Sequence, residues 1–338
     1  MPPPSDGVGL LVPLLRERRP LLLAGAGASA RMGYPLWDDL VQQLAMEFAP
    51  ELTLTGDNLV NVDAIASVAA DAGRTHEYHK WLDQTFSFNG ASQKDLTFHR
   101  RLVSLGFCGL VTPNFDPTLE EACITEYSDP ACVHRCESVD LTDRPYLVFD
   151  FLQRLGASPR HCGVLHLHGL HRAPDRLILG AKRYAEAYGH DRASGNEELR
   201  TLLRKVIWTL LSTRPVLFVG FSMTDPFFSR TLELVRRDFI LTDEPAHFAI
   251  IPYDVNLTDT DRMLAPAAAH KQVKQELREA LPSGLVPIFY HAPRSPVTGL
   301  SDHRRLVALI DDLGIRAGTV PRTEYPVDRL RRKGLEEL

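Results

Sequence analysis

The sequence predicts an α/β fold built on a Rossmann-like, doubly wound parallel sheet. Short apolar runs alternate with longer segments of helical pattern along most of the chain, as is typical of parallel sheets covered by helices. Four of these runs end in clusters of glycine and small polar residues. Because ligands of open parallel sheets bind at the carboxyl ends of the strands, these clusters mark the candidate site.

The first half of the chain contains three of the predicted strands. A short helix at 12–18 precedes the apolar strand 21–24, which a glycine turn and a helix at 37–48 follow. Buried parallel strands form continuous apolar runs of this kind. Residues 61–105 are predicted to be mainly helical with a break near Asn89-Gly90, and strands follow at 108–111 and 163–167. The polar stretch 126–145 is predicted to be irregular.

The second half continues the alternation. Helices are expected at 182–189, 196–212 and up to residue 237, and strands at 215–219, 248–252 and 285–290. We expect residues 1–255 to form a catalytic domain with a helical insertion at about 60–105. Residues 256–338 would complete the fold and end in a charged tail, 329–338, which either docks a partner or is simply solvated.

Composition excludes several classes of protein. The 338 residues are 44% hydrophobic and 24% charged with a formal net charge of -5, which is ordinary for a globular protein and gives no electrostatic footprint of a nucleic-acid binder. No run approaches the roughly 20 apolar residues that cross a bilayer, and the amino terminus does not resemble a signal peptide. Five scattered cysteines do not form a disulfide framework, so a cytoplasmic location is expected.

A glycine turn follows the first strand. Gly25-x-Gly27-x-x-Ala30 fits the dinucleotide-binding pattern, in which glycines allow a tight turn and a close approach to a pyrophosphate. A turn of this kind without a ligand is the alternative. No acidic residue closes a second strand about 20 residues later, which disfavours an ordinary dehydrogenase.

Polar side chains follow the next two strands. Asn114 and Asp116 come directly after one strand, where Asp116 is either a helix N-cap or a site residue and Asn114 stands too early to cap that helix. His168 ends the next strand beside Gly169, where an imidazole with a pKa near neutrality suits a general base. A buried structural histidine is the alternative. The spacing of the neighbouring histidines matches no zinc pattern.

The turn after the 215–219 strand contains Gly220 and Ser222. A glycine and a hydroxyl there could approach a second ribose. The same residues loosely fit the nucleophile elbow of a serine hydrolase, with Asp243 and His270 as later partners, but the second glycine of that pattern is missing.

Taken in order, the motifs resemble the sirtuin-like domains of bacterial anti-phage defence proteins over about residues 20–255. The motifs are Gly-Ala-Gly-Ala-Ser at 25–29 with Gly-Tyr-Pro at 33–35, Thr-x-Asn-Phe-Asp at 112–116, Leu-His-Gly at 167–169 and Val-Gly-Phe-Ser-x-x-Asp-Pro at 219–226. Pro113 and His166 depart from the pattern, since a polar residue and a lysine are usual at these two positions.

The resemblance implies an NAD site in which NAD is the substrate and no metal takes part. Asn114 would position the nicotinamide ribose and the attacking water with Asp116 nearby, and His168 would be the general base. The implied NAD-binding residues are Gly25, Ala26, Gly27, Ser29, Tyr34, Gly220 and Ser222.

The resemblance favours an NAD glycohydrolase that releases nicotinamide and ADP-ribose and depletes NAD in abortive-infection defence. Deacetylating sirtuins carry a zinc ribbon with two cysteine pairs, whereas this chain has only Cys132-x-x-x-Cys136, so no ribbon is expected. An NAD-dependent deacylase and a non-catalytic NAD or ADP-ribose sensor remain alternatives. Partners implied by the resemblance are further copies of the chain and a regulatory protein such as a HerA-type ATPase or an Argonaute-like protein, with no membrane or direct nucleic-acid contact.

Overall fold

The fold is described from a computed structural model of the chain. It describes residues 7–88, 96–127, 133–136, 145–157, 162–189, 201–221, 226–238, 247–255, 266–282, 284–295, 297 and 300–319.

A parallel sheet of seven strands runs through the described part of the chain. The strands are β1 (Leu21–Ala24), β2 (Gly109–Thr112), β3 (Val133–Cys136), β4 (Cys162–His166), β5 (Val216–Val219), β6 (His247–Tyr253) and β7 (Leu285–His291). Their spatial order is β3-β4-β2-β1-β5-β6-β7, and every pairing is parallel. Strand order therefore reverses between β1 and β5, which is the topological switch point where such sheets bind ligands.

Helices cover both faces of the sheet and its carboxyl edge. They are α1 (Gly7–Arg16), α2 (Ala26–Ser29), α3 (Trp37–Phe48), α4 (Asn58–Asp71), α5 (Thr75–Phe86), α6 (Thr97–Val103), α7 (Thr118–Tyr127), α8 (Pro145–Arg154), α9 (Ala181–Tyr188), α10 (Leu202–Thr213), α11 (Pro226–Asp238), α12 (Pro266–Glu279) and α13 (Arg304–Ala317). Short 3-10 turns follow α2 and precede α9.

The alternating side chains of the strands supply two cores. Leu22, Leu110 and Leu217 point to one face, where α1, α6, α7 and α13 pack, while Leu21, Val111 and Phe218 point to the other, against α10 and α11. Because both faces are buried, the strands carry continuous apolar runs instead of alternating polar positions.

A third apolar cluster lies beyond the carboxyl edge. It joins α3, α4 and α5 to Phe115, Leu177 and Leu179, which follow β2 and β4 in the chain. The helices inserted between β1 and β2 thus pack against the loops that leave the sheet at the predicted site.

The predicted fold class is confirmed, and the six predicted strands agree with the structure to within one or two residues at each end. The prediction of an irregular 126–145 was wrong, because β3 lies there and forms the edge of the sheet. The first helix begins at Gly7, earlier than predicted, and the four-residue α2 was not predicted. The break at Asn89-Gly90 lies outside the described residues, and the division into domains stays a prediction.

Two further findings bear on the composition. Within the described ranges no helix is both long and apolar enough to span a membrane. Cys108 is a buried free thiol, whereas Cys123 is disulfide-bonded, which the sequence did not predict. Cys132 of the possible zinc pair lies outside the described residues, so the absence of a zinc ribbon stays a prediction.

Candidate functional site

The glycine turn after β1 packs against the turn after β5. The amide of Gly25 donates to the carbonyl of Val219, and the amide of Gly27 donates to the carbonyl of Gly220, both at 2.9 Å. A Cβ on Gly25 would lie 2.5 Å from the Gly220 carbonyl oxygen, and a Cβ on Gly220, whose φ is +62°, would lie 2.2 Å from the nitrogen of Ala28. The close approach of the two turns therefore requires glycine at Gly25 and Gly220.

The bonding within the turn limits what it can offer to a phosphate. The amide of Ala28 donates to the carbonyl of Gly25 at 2.9 Å. The amides of Gly25, Gly27 and Ala28 are thus all bonded within the protein. A pyrophosphate contact from any of these three would have to replace an existing bond, and the hydroxyl of Ser29 is likewise engaged by Asn114 and Asp116. Among the predicted groups of the turn, the amide of Ala26 meets no such conflict.

A buried histidine that the sequence did not indicate supports the same turn. Nε2 of His99, on α6, lies 2.9 Å from the carbonyl oxygen of Ala28, and the side chain is only 1% exposed. A carbonyl only accepts, so Nε2 carries the proton. Burial lowers the pKa of His99 to about 4, and the ring is therefore a neutral donor that holds the turn against α6.

Asn114 makes direct contact with the glycine turn. Its Nδ2 donates to Oγ of Ser29 at 2.9 Å. The amide nitrogen of Asn114 donates to Oγ1 of Thr112 at 3.0 Å, and that hydroxyl donates to the carbonyl of Ala24 at 2.8 Å. Two of the predicted site residues, 85 positions apart, thus meet at the carboxyl edge of neighbouring strands.

Asp116 lies beside Asn114 and is 4% exposed. Its Oδ1 accepts bonds from the amide of Thr118, at 3.1 Å, and from the Thr118 hydroxyl. Burial raises the pKa of Asp116, although bonds from Thr118 and Ser29 oppose that shift. The bond to the first residue of α7 agrees with a capping role, so the structure gives Asp116 a structural task next to the site.

Tyr34 lies at the same place. Burial and then the Asp116 carboxylate raise the pKa of its phenol, while a hydrogen bond with Thr118 opposes the shift. The phenol therefore stays protonated and neutral near Asp116. Tyr34 also packs against Phe86 of α5, with ring centroids 6.2 Å apart, which ties the inserted helices to the site.

His168 follows β4 and is enclosed by two tyrosines of α9. Its Nε2 lies 2.9 Å from the hydroxyl of Tyr188 and its Nδ1 lies 3.3 Å from the hydroxyl of Tyr184. The two phenol rings stack on each other with centroids 5.4 Å apart. The imidazole is 5% exposed, and burial lowers its pKa to about 3.

The burial of His168 shows that the pKa expected from the sequence was wrong. The sequence suggested a pKa near neutrality, but the buried ring is neutral throughout the physiological range and weakly basic. One nitrogen of a neutral imidazole accepts and the other donates. One tyrosine hydroxyl therefore donates to His168 and the other accepts from it, so proton transfer from water to the ring needs a tyrosine to relay the proton or to move aside.

His166 and His168 contact different helices. The alternation of a strand would place both rings on one face, but β4 ends at His166. His166 bonds to Glu120 of α7 and to the carbonyl of Asn114, while His168 bonds to α9. Position 166, where a lysine is usual in the resembling domains, thus holds a histidine that faces the carboxylate of Glu120. The same carboxylate could pair with a cationic side chain at this position.

The structure brings most of the predicted site to the carboxyl edge. Ser29, Tyr34, Asn114 and Asp116 form one cluster, with Gly25, Ala26, Gly27 and Gly220 in the adjoining turns. His168 follows β4 in the chain, and β4 pairs with β2, the strand that precedes Asn114. Ser222 and Asp243 lie outside the described residues. No group of three or more metal-ligating side chains occurs within the described residues.

The sequence did not identify three further side chains at this edge. Glu120 stands in the first turn of a helix, where acidic residues are common. Tyr184 and Tyr188 are four residues apart on α9, a spacing that predicts one helix face but not its contact. For Tyr184 and Tyr188, this spacing was the signal that could have indicated a shared contact.

Part of the chain is similar to known proteins. Residues 109–275 match the model of the family described as SIR2-like domain. Over 231 residues, which is 68% of this chain and 42% of the relative, the chain is 25% identical to a protein of Acinetobacter baumannii (strain 532279) named NAD(+) hydrolase ThsA. The chain thus spans less than half the length of that relative. Together with the parallel sheet and its glycine turn, the match shows that the chain contains a sirtuin-like, SIR2-like domain.

Proposed function

We propose that this chain is an NAD glycohydrolase that cleaves the bond between nicotinamide and ribose. The observation that carries the proposal is the 2.9 Å bond between Asn114 and Ser29, which joins the glycine turn to a side-chain amide at the carboxyl edge. The SIR2-like match and the similarity to an NAD(+) hydrolase support NAD as the substrate. No metal is required by the proposed reaction.

The proposed reaction is the displacement of nicotinamide by water. The glycosidic C–N bond breaks, its electron pair leaves with nicotinamide, and the water oxygen bonds to the ribose carbon while its proton goes to a base. Cleavage passes through an oxocarbenium-like ribose. The protein needs mainly to orient the ribose and the water, for which Asn114 offers both a donor and an acceptor.

His168 would receive the proton of the attacking water through the tyrosines that enclose it. Its neutral ring can accept a proton at the moment of cleavage, when positive charge on the ribose is passing to the water. In the structure both ring nitrogens face tyrosine hydroxyls. The step therefore runs through a tyrosine hydroxyl or follows a displacement of α9.

The glycine turn and Gly220 would lie along the rest of the dinucleotide. They flank the switch point between β1 and β5, where nucleotides bind to doubly wound sheets. Ala26, Ser29 and Tyr34 would face the phosphates and the nicotinamide ribose, and Gly220 with Ser222 would line the adenosine side.

Incubation of the purified chain with NAD tests the proposal. We expect equal amounts of nicotinamide and ADP-ribose, and loss of both in Asn114→Ala. Asn61→Ala is the matched control, because Asn61 is a buried, hydrogen-bonded amide on α4. Equal activity of the two variants would contradict the site, and acetyl-lysine turnover in place of hydrolysis would favour the deacylase.

A sensor that binds NAD without cleaving it is the second candidate. The enclosed ring of His168, with both nitrogens bonded, is the observation that favours it. Binding of NAD without release of nicotinamide, in the presence and absence of the product of a neighbouring gene, would identify the sensor.

A defence role would follow from the proposed activity. An enzyme that depletes NAD must be restrained until infection, and we propose that this restraint comes from assembly with further copies or with a regulatory partner of the HerA-type or Argonaute-like kind. The docking tail proposed at 329–338 lies outside the described residues. Loss of phage protection in Asn114→Ala cells, with retention in Asn61→Ala cells, would test the role.

A further inference from the structure

We propose that Glu120 and His166 form a buried positioning pair that fixes the main chain of Asn114 and thereby aims its side-chain amide. The inference rests on the proposed role of Asn114 in the NAD site. Glu120 and His166 would not touch the substrate, so they are positioning residues.

The imidazole of His166 bridges two elements. Its Nδ1 lies 2.9 Å from the carbonyl oxygen of Asn114, and its Nε2 lies 2.8 Å from Oε1 of Glu120. The side chains of His166 and Glu120 are both 0% exposed. The ring thus connects β4, the first turn of α7 and the loop after β2 in a space without solvent.

The two partners of the ring decide where its protons lie. A carbonyl oxygen only accepts, so Nδ1 must carry a hydrogen. At Nε2 a proton must also stand between nitrogen and carboxylate, because two lone pairs would otherwise face each other at 2.8 Å. The pair therefore holds one shared proton and carries no net charge, which lowers the cost of burying it.

The charged groups around the ring agree with this assignment. Burial by itself lowers the pKa of His166, but the Glu120 carboxylate, the Asn114 carbonyl and the charge of Asp116 outweigh burial and raise the pKa overall. His166 consequently holds its second proton at neutral pH, and its Nδ1 stays a donor.

Asn114 is held at both of its main-chain groups. Its amide donates to Thr112 and its carbonyl accepts from His166. Pro113, whose φ is fixed by its ring, precedes it. With both peptide groups bonded, the direction in which the Asn114 side chain leaves the main chain is set, and its Nδ2 meets Ser29. Loss of the His166 bond would free the carbonyl and let the amide turn away.

Two amide substitutions at 166 separate the two bonds of the ring. In His166→Asn the side-chain amide reaches the place of Nδ1, so the bond to Asn114 remains and the bond to Glu120 is lost. In His166→Gln it reaches the place of Nε2, so the bond to Glu120 remains and the bond to Asn114 is lost. Both variants remove the buried imidazole and leave a cavity in its place, so each serves as a packing control for the other.

We expect His166→Gln to lose about 10²-fold in kcat with little change in KM, because a displaced catalytic group costs that order of rate. His166→Asn should stay within about 10-fold of the wild type by the same measure, although its melting temperature falls as much or more. If kcat follows melting temperature in the two variants, or if His166→Asn is the slower enzyme, the pair does not position Asn114.

A spectroscopic measurement tests the pair without catalysis. In protein labelled with ¹⁵N-histidine, the His166 signal, identified by its loss in His166→Asn, should show an Nδ1–H at about pH 8 in the wild type and in Glu120→Gln. A ring without a proton on Nδ1 would overturn the inference. Failure to release nicotinamide in wild-type protein would instead refute the proposed function, and the NMR result would still decide the geometry.

Discussion

Replacement of Gly220 by alanine tests whether the turns after β1 and β5 belong to the catalytic site. Gly220 has a φ of +62°, and a left-handed conformation costs an alanine about 1–2 kcal/mol. In addition, its Cβ would lie 2.2 Å from the nitrogen of Ala28, whereas ordinary contacts begin at 3.4 Å. The glycine turn therefore has to move by roughly 1 Å, a displacement that can reduce an enzymatic rate about 10²-fold.

Gly318→Ala is the matched control for Gly220→Ala. Gly318 has a φ of +73°, but nothing lies within 4 Å of its Cβ position. Both variants carry the same backbone strain, and Gly220→Ala should lose about 1–3 kcal/mol more because of overpacking.

The assay is nicotinamide release, measured beside urea unfolding of both proteins. We expect Gly318→Ala to keep the wild-type rate and Gly220→Ala to lose about 10²-fold while still folded at the assay temperature. Equal rates in the two folded variants would refute the placement of the glycine turn at the site.

Three further perturbations have expected outcomes. Tyr188→Phe removes the hydroxyl bonded to Nε2 of His168 and should cost about 1–3 kcal/mol in urea unfolding. If this hydroxyl relays the proton, kcat falls and KM stays unchanged; an unchanged kcat would exclude a relay through Tyr188. Asp63→Ala removes the carboxylate that accepts from the amide of Lys182 at the start of α9. The free energy of opening of α9, measured by amide hydrogen exchange, should fall by about 1 kcal/mol. Unaltered exchange would show that this contact does not stabilise the helix. Burial lowers the pKa of three histidines to about 4 or about 3, namely His99, His168 and His247. Acid should destabilise the fold between about pH 6.5 and pH 4 by about 1.4 kcal/mol per pH unit for each of these three, since the unfolded chain binds protons there that the folded chain does not. Unfolding curves that do not change over this range would contradict this expectation.

The strands could be predicted because their signal is local. Leu21–Ala24 and Val216–Val219 are apolar throughout, and buried strands need nothing else. β3 was missed because Val133–Cys136 lies at the edge of the sheet with a polar composition, and only its pairing with β4 makes it a strand. Edge strands depend on a tertiary contact that the local pattern does not contain.

The contact between Ser29 and Asn114 agrees with an expectation from the sequence. Each residue follows a predicted parallel strand, and parallel strands end at one edge of a sheet. The enclosure of His168 was not predictable in this way. It depends on how α9 packs against the loop after β4. The two tyrosines that contact His168 lie 16 and 20 positions further along the chain, and no sequence periodicity specifies that contact. The same packing determines the burial that lowers the pKa of His168, so its basicity could not be judged from the motif.

A crystal structure of the His168→Ala protein with NAD bound tests the central claim most directly. We predict that the nicotinamide ribose lies within hydrogen-bond distance of Asn114 and that the phosphates lie along the turn at 25–29, next to Gly220. A dinucleotide bound on another face of the molecule, without contact to Asn114, would contradict the account.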